Sequence, residues 1–264
     1  MFPRKFSFAS RVVLELRYWL TIARYPTRKL GPPIFVVGAP HSGTSITTVL
    51  LSEHSALYTI PGETRMFTSS NPQFQARLFD KLTFCAGRTR WLEKTPEHLM
   101  ALSAVFRLHP KAQVLIVLRD GRDVAASLFA RTGDLDAGIN AWLEANRQSE
   151  SYIGDPRVLR VKYEELVTEP ENTLKSICLF LGLAFEVRML EYYKKPRRYY
   201  ANVIHKPPSV TGQDHGTYRN WQINQPIFDG RGRWKKMSDE QKTRTKELAA
   251  PELKKYGYGV NEEW

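Results

Sequence analysis

Three groups of residues in this chain have the types and spacing to do chemistry. The first is Gly38-Ala39-Pro40-His41-Ser42-Gly43-Thr44-Ser45, between a β-branched apolar run at 34–37 and a helix-compatible run at 46–51. A glycine turn joining a strand to a helix N-terminus offers unpaired backbone N–H groups and the positive end of the helix dipole to an anion. The Gly-x4-Gly spacing is that of a P-loop, but Thr44 stands where a nucleotide hydrolase carries its lysine. Without that point charge the loop suits a single phosphate better than a β/γ pair. Two glycines also serve a plain tight turn, so the loop is weighed with the rest of the chain.

The second group runs from 114 to 127, Val-Leu-Ile-Val-Leu-Arg-Asp-Gly-Arg-Asp-Val-Ala-Ala-Ser. A strand that ends in Arg119, followed by a helix carrying Ser127, can bring a guanidinium fork and a hydroxyl to one anion. The competing reading pairs Arg119 with Asp120 or Asp123 as an ordinary ion pair. The third group is a set of polar residues placed after apolar runs: Glu63, Lys94 and Tyr163.

These residues need a scaffold that gathers them. Strands are expected at 34–37, 56–60, 90–93, 114–118 and 158–161, with helices at 96–108, 123–130, 139–152 and 172–181. Alternation of this kind implies an α/β domain with a central, mostly parallel five-stranded sheet flanked by helices. Ligands of such sheets bind at the carboxyl ends of the strands, where His41–Ser45, Glu63, Lys94, Arg119 and Tyr163 all fall. Residues 1–30 form a basic lead-in with Val12, Val13, Leu16, Trp19, Leu20 and Ala23 at helical spacing. Docking on residues 31–264, read as one domain, is favoured for this helix over peripheral contact with a membrane.

Composition narrows the partners. The 264 residues carry 39 Lys and Arg against 27 Asp and Glu, a net charge of +12, which favours anionic ligands. The charge is spread along the chain, and no zinc-finger or RNA-binding pattern is present, so nucleic acid is not expected. Two cysteines, Cys85 and Cys178, argue against a disulfide framework and for a reducing, cytoplasmic setting. No HExxH or paired-cysteine motif suggests a metal.

Taken in order, Pro-His-Ser-Gly-Thr-Ser after a strand, Arg119 with Ser127, and Val161-Lys-Tyr-Glu-Glu-Leu resemble the PAPS-dependent sulfotransferases. Trp91-Leu-Glu-Lys-Thr-Pro-Glu-His is similar to a segment of the bacterial and Golgi-type branch, and Pro61-Gly-Glu-Thr-Arg to one of the tyrosylprotein sulfotransferases. Gly230-Arg-Gly-Arg-Trp-Lys-Lys resembles the C-terminal segment that folds over the nucleotide. The resemblance spans about residues 34–257 and implies the sulfotransferase fold with its P-loop-like phosphate-binding loop.

It further implies 3′-phosphoadenosine 5′-phosphosulfate (PAPS) as sulfuryl donor, the bisphosphate PAP as product, and a hydroxyl-bearing acceptor, with a carbohydrate or lipid-linked glycan expected. By the same resemblance His41, Ser42, Gly43, Thr44 and Ser45 hold the 5′-phosphate. Arg119 and Ser127 hold the 3′-phosphate, Tyr163 lies toward the adenine, and Arg231, Gly232 and Arg233 close over it. Lys94 and His41 face the transferring group, and Glu63 is the acceptor's base, with His98 the alternative. The family usually places Lys or Arg where this chain has His41, a group that titrates near neutrality. The cytosolic members' histidine two residues after the lysine is here Pro96. Acceptor choice is expected in irregular segments at 64–90, 131–157 and 186–230. Two readings compete: a nucleotide or small-molecule kinase on the same scaffold, which lacks its lysine at Thr44, and a non-catalytic protein that binds polyanions or membrane surfaces.

Overall fold

A computed structural model of the chain describes residues 30–68, 71–194 and 221–260. The lead-in helix expected at 1–30 therefore lies almost wholly outside the described residues, as does the stretch 195–220 of the expected acceptor segment 186–230. Five strands form one sheet: β1 (Ile34–Gly38), β2 (Leu57–Thr59), β3 (Arg90–Lys94), β4 (Gln113–Leu118) and β5 (Val158–Lys162), in the order β2-β3-β1-β4-β5. Every pairing is parallel. From β1 the chain crosses to the edge strand β2, returns to β3 beside β1, then passes over β1 to β4 and β5. Its connections thus diverge beside β1, at whose carboxyl end ligands of such sheets bind.

The strands are apolar because both faces are covered. Phe35, Val37, Trp91, Val114 and Ile116 pack into one core, and Ile34, Val36, Leu92, Leu115 and Val117 into the other. Successive residues of a strand face opposite sides, so Glu93 follows the Trp91 face and Lys94 the Leu92 face.

Helices α1 (Thr44–Leu51), α2 (Pro72–Cys85), α3 (Leu102–Leu108), α4 (Gly121–Thr132), α5 (Leu135–Glu150), α6 (Tyr163–Thr168), α7 (Pro170–Leu181) and α8 (Asp239–Lys255) complete the described layers. Three expectations are corrected. The segment 64–90 is not irregular throughout, because Asn71 caps Phe74 N–H and Pro72 opens α2. The helix expected at 96–108 is a 3₁₀ turn, Pro96–Ala101, followed by α3, with Ala101 outside helical geometry. The helix expected at 123–130 begins two residues earlier, at Gly121, because Asp120 caps it. Both cysteines are free, Cys178 buried and Cys85 exposed. Among the described residues no helix is long and apolar enough to cross a membrane.

Candidate active site

The loop after β1 is built for close approach. Gly38 sits at φ 152°, where a Cβ would meet the Val117 carbonyl oxygen at 2.5 Å. Gly43, at φ 104°, is the residue before α1, and a Cβ there would strike the Tyr163 ring at 2.5 Å. Both conformations are ones that glycine adopts without a side-chain clash. His41 between them takes φ 66°, a left-handed conformation that costs a non-glycine residue energy and recurs at functional sites. Helix α1 starts with no side-chain cap and no acidic residue in its first turn, so its amides and dipole face the crevice.

Arg119 leaves β4 beside this loop. Its Nη1 donates to the His41 carbonyl at 3.1 Å and its Nη2 to the Gly230 carbonyl at 2.6 Å. Asp123 lies 3.6 Å from Nη2, so the ion pair weighed in the sequence exists alongside these contacts. The ring of Tyr163 lies 4.3 Å beneath the guanidinium, and burial pushes its phenol above the ordinary range against the pull of Arg119. Ser127 meets the His41 Nδ1 at 2.8 Å. Residues assigned by resemblance to two different phosphates and to the adenine are thus one connected group: His41, Ser127, Arg119 and Tyr163.

Two buried polar atoms of the loop and its arginine have no hydrogen-bond partner, Ser42 Oγ and Arg119 Nε. A buried polar atom without a partner carries a free-energy cost of about 1–3 kcal/mol, which a phosphate oxygen at the loop would relieve. The uncapped helix start, the orphaned hydroxyl and the orphaned guanidinium N–H fit a phosphorylated ligand.

Lys94 is fully buried and its Nζ donates to Glu63 Oε1 at 2.6 Å. Glu63 is therefore the ion-pair partner of Lys94. Val36 is the register partner of Lys94 and Gly38 that of Val117, so this ion pair, the β1 loop and Arg119 share one end of the sheet. His98, the alternative base, is 1% exposed and its Nδ1 lies 3.0 Å from Glu93 Oε2.

The C-terminal segment returns over the same crevice. Asp123 accepts the Gly232 N–H at 3.0 Å and the Trp234 N–H at 3.1 Å, which docks residues 230–234 beside Arg119. Gly232 bends there at φ 72°. Arg231 is exposed and held by Asp229 at 2.8 Å, while Arg233 is exposed at the start of a 3₁₀ turn. Thr44 is buried. Two residues escaped the sequence reading. Asp123 entered it only as a rival for Arg119, and Glu93 not at all, although a carboxylate inside an apolar strand was the visible signal.

Comparison with known proteins agrees with this fold. Residues 66–187 match the model of the sulfotransferase family. Among solved structures, the sulfotransferase domain of the Synechococcus PCC 7002 olefin synthase aligns with a TM-score of 0.58 at 19% identity, covering 85% of this chain and 97% of that one. A mouse sulfotransferase, SULT7A1, complexed with PAP aligns at 0.59 and 16% identity, covering 84% and 85%. These define the sulfotransferase fold. Protein-tyrosine sulfotransferase 2 of Gallus gallus is 25% identical over 206 residues, 64% of this chain and 56% of that protein. The match spans 27%, 69% and 56% of the lengths of the first three curated relatives. Over residues 66–187 the chain is similar to the sulfotransferase family.

Proposed function

We propose that this protein transfers a sulfuryl group from PAPS to a hydroxyl acceptor at the crevice beside β1. The observation that carries the reading is the pair of buried, unpartnered atoms, Ser42 Oγ before the uncapped start of α1 and Arg119 Nε after β4. Ser42, the amides of residues 43–45 and the hydroxyls of Thr44 and Ser45 would hold the 5′-phosphate. Arg119 and Ser127 would hold the 3′-phosphate, with Tyr163 toward the base and residues 231–233 closing the site. PAPS supplies the sulfuryl group, whose sulfur takes the acceptor oxygen as its bond to the phosphate oxygen breaks.

The chain's own residues do the rest. Glu63 accepts the acceptor's proton, and Lys94, already beside it, is placed to balance charge on the departing oxygen. His41 contributes a donor at the same loop, its ring oriented by Ser127. A tyrosine phenol of a polypeptide is the acceptor we favour, because several relatives carry the name protein-tyrosine sulfotransferase. A carboxylate is a weak base, and a phenol with a pKa of about 10 gives up its proton more readily than an aliphatic hydroxyl. The carbohydrate or lipid-linked glycan expected from the sequence is the second acceptor to try.

Radiolabelled PAPS offered with a tyrosine-containing polypeptide and, separately, with glycans and lipid-linked glycans tests the reading. Label is expected on the polypeptide, and label on the glycan fraction alone would reverse the choice of acceptor. Lys94→Met and Glu63→Gln should each lower turnover by about 1,000-fold and leave PAP affinity, read by calorimetry, within about threefold of wild type. Wild-type protein that binds no PAP would refute the proposal.

A further inference from the structure

Glu63 stands on a segment with no regular structure of its own. Gly62 at φ 73° and Arg65 at φ 50° bracket it, and residues 61–65 lie in neither a strand nor a helix. Such a segment drifts unless its backbone is held from outside. Here four successive amides are held by side chains. Thr64 N–H donates to Glu93 Oε1 at 3.3 Å and Arg65 N–H to Thr95 Oγ1 at 3.2 Å. Met66 N–H donates to Thr64 Oγ1 at 3.3 Å and Phe67 N–H to His98 Nε2 at 3.5 Å.

Every one of these acceptors leads to the Glu93 carboxylate. Thr64 Oγ1 donates to its Oε1 at 2.8 Å and Thr95 Oγ1 donates to the same oxygen at 2.6 Å. The Phe67 amide leaves the proton of a neutral His98 on Nδ1, where it reaches Oε2 at 3.0 Å. The direction is the same throughout, from amide to hydroxyl or imidazole to the Glu93 carboxyl oxygens. Glu93 is fully buried, and the His98 ring packs edge-on to Phe67 at 5.1 Å. A buried charge is seldom a net source of stability, and apolar residues of similar volume often serve as well. Its evident product is the conformation of residues 64–67.

We infer that Glu93, with Thr95 and His98, forms a positioning device that sets Glu63 against Lys94. The inference rests on the proposed role of Glu63. One strand then sets both partners: β3 presents Lys94 on one face and, through Glu93 on the other, fixes the backbone that carries Glu63. In this role the three act through Glu63.

Thr95→Val keeps the shape and removes the hydroxyl relay. Hydrogen exchange should rise at least about tenfold at the amides of 64–67 and stay unchanged in β1 and β4. Turnover should fall by about 30-fold with PAP affinity unchanged, and Thr95→Ser should restore it to within about threefold. In a Glu63→Gln background the same change should cost almost nothing further. Glu93→Gln, which turns one acceptor into a donor, should reproduce the exchange result. Unchanged protection at 64–67 in both variants overturns the inference, as does an equal loss from Thr95→Val with and without Glu63. Wild-type protein that transfers no sulfuryl group would overturn the proposed function instead, while the exchange measurement would still decide whether the device holds the segment.

Discussion

Helices α1 and α4 begin at the same end of the same sheet, each after a central strand and a short turn, and their starts are opposites. Helix α1 opens on Gly43 with no side-chain cap, no first-turn acid and a buried Ser42 hydroxyl that has no partner. Helix α4 opens on Asp120, which caps Arg122 N–H and pairs with the Arg122 side chain at 2.8 Å, and Asp123 in its first turn clamps two amides of the returning chain. The same local unit is therefore open to an anion at one strand and closed on the protein itself at the next. Closure has a use, since Asp123 docks residues 230–234 and leaves Arg119 pointing across to the open helix. Carboxylates at a helix start and an anionic ligand compete for the same amides, so a site for phosphate needs one start without acid.

The contrast can be broken from the closed side first. Asp120→Ala removes a cap and leaves the buried Arg122 without its carboxylate, which should cost about 3 kcal/mol in denaturant unfolding. PAP affinity should stay within about twofold, and a large affinity loss would mean that α4 is part of the nucleotide site in its own right. Arg119 spans the two starts, and Arg119→Met should weaken PAP by about 100-fold in calorimetry, near 2.7 kcal/mol. Wild-type affinity in that variant would remove Arg119 from the site. Ser42→Ala touches only the open start and should weaken PAP by about tenfold while raising stability slightly, because it deletes a buried hydroxyl that has no partner.

The smallest effect is one of pH. Burial raises the Asp123 carboxyl above its ordinary range, against the pull of Arg119. A raised acid favours its protonated form in the folded state, so its contribution is greatest below the ordinary carboxylate range and declines as pH rises through the raised value. Asp123→Asn loses one amide acceptor at every pH, about 1 kcal/mol, but has no such decline. The stability gap between the two proteins should therefore narrow from pH 4.5 to pH 7, and a widening gap in denaturant midpoints would reverse the sign assigned here.

Much of the fold was legible because its signals are local. Apolar runs of β-branched residues ending in glycine or arginine marked β1 and β4, and a polar residue after each strand marked the crevice. Helix α2 was missed because polar residues (Gln73, Gln75, Arg77, Asp80 and Lys81) are interleaved with its apolar ones, although Asn71 before Pro72 was a readable start. Glu93 was passed over because a residue's face on a strand says nothing of what covers it.

Types and spacings in the chain were enough to select an α/β sheet, a lysine-free phosphate loop and the arginine and lysine that end its strands. Those choices depend on sterics and hydrogen bonding within a few residues of the backbone. Which side chain answers which was settled only by packing. Glu63 meets Lys94 across 31 positions, His41 meets Ser127 across 86, and Arg119 meets the Gly230 carbonyl across 111. Such pairs form where strand order brings distant segments to one sheet end, and burial there makes an unpaired polar group costly enough to dictate its partner.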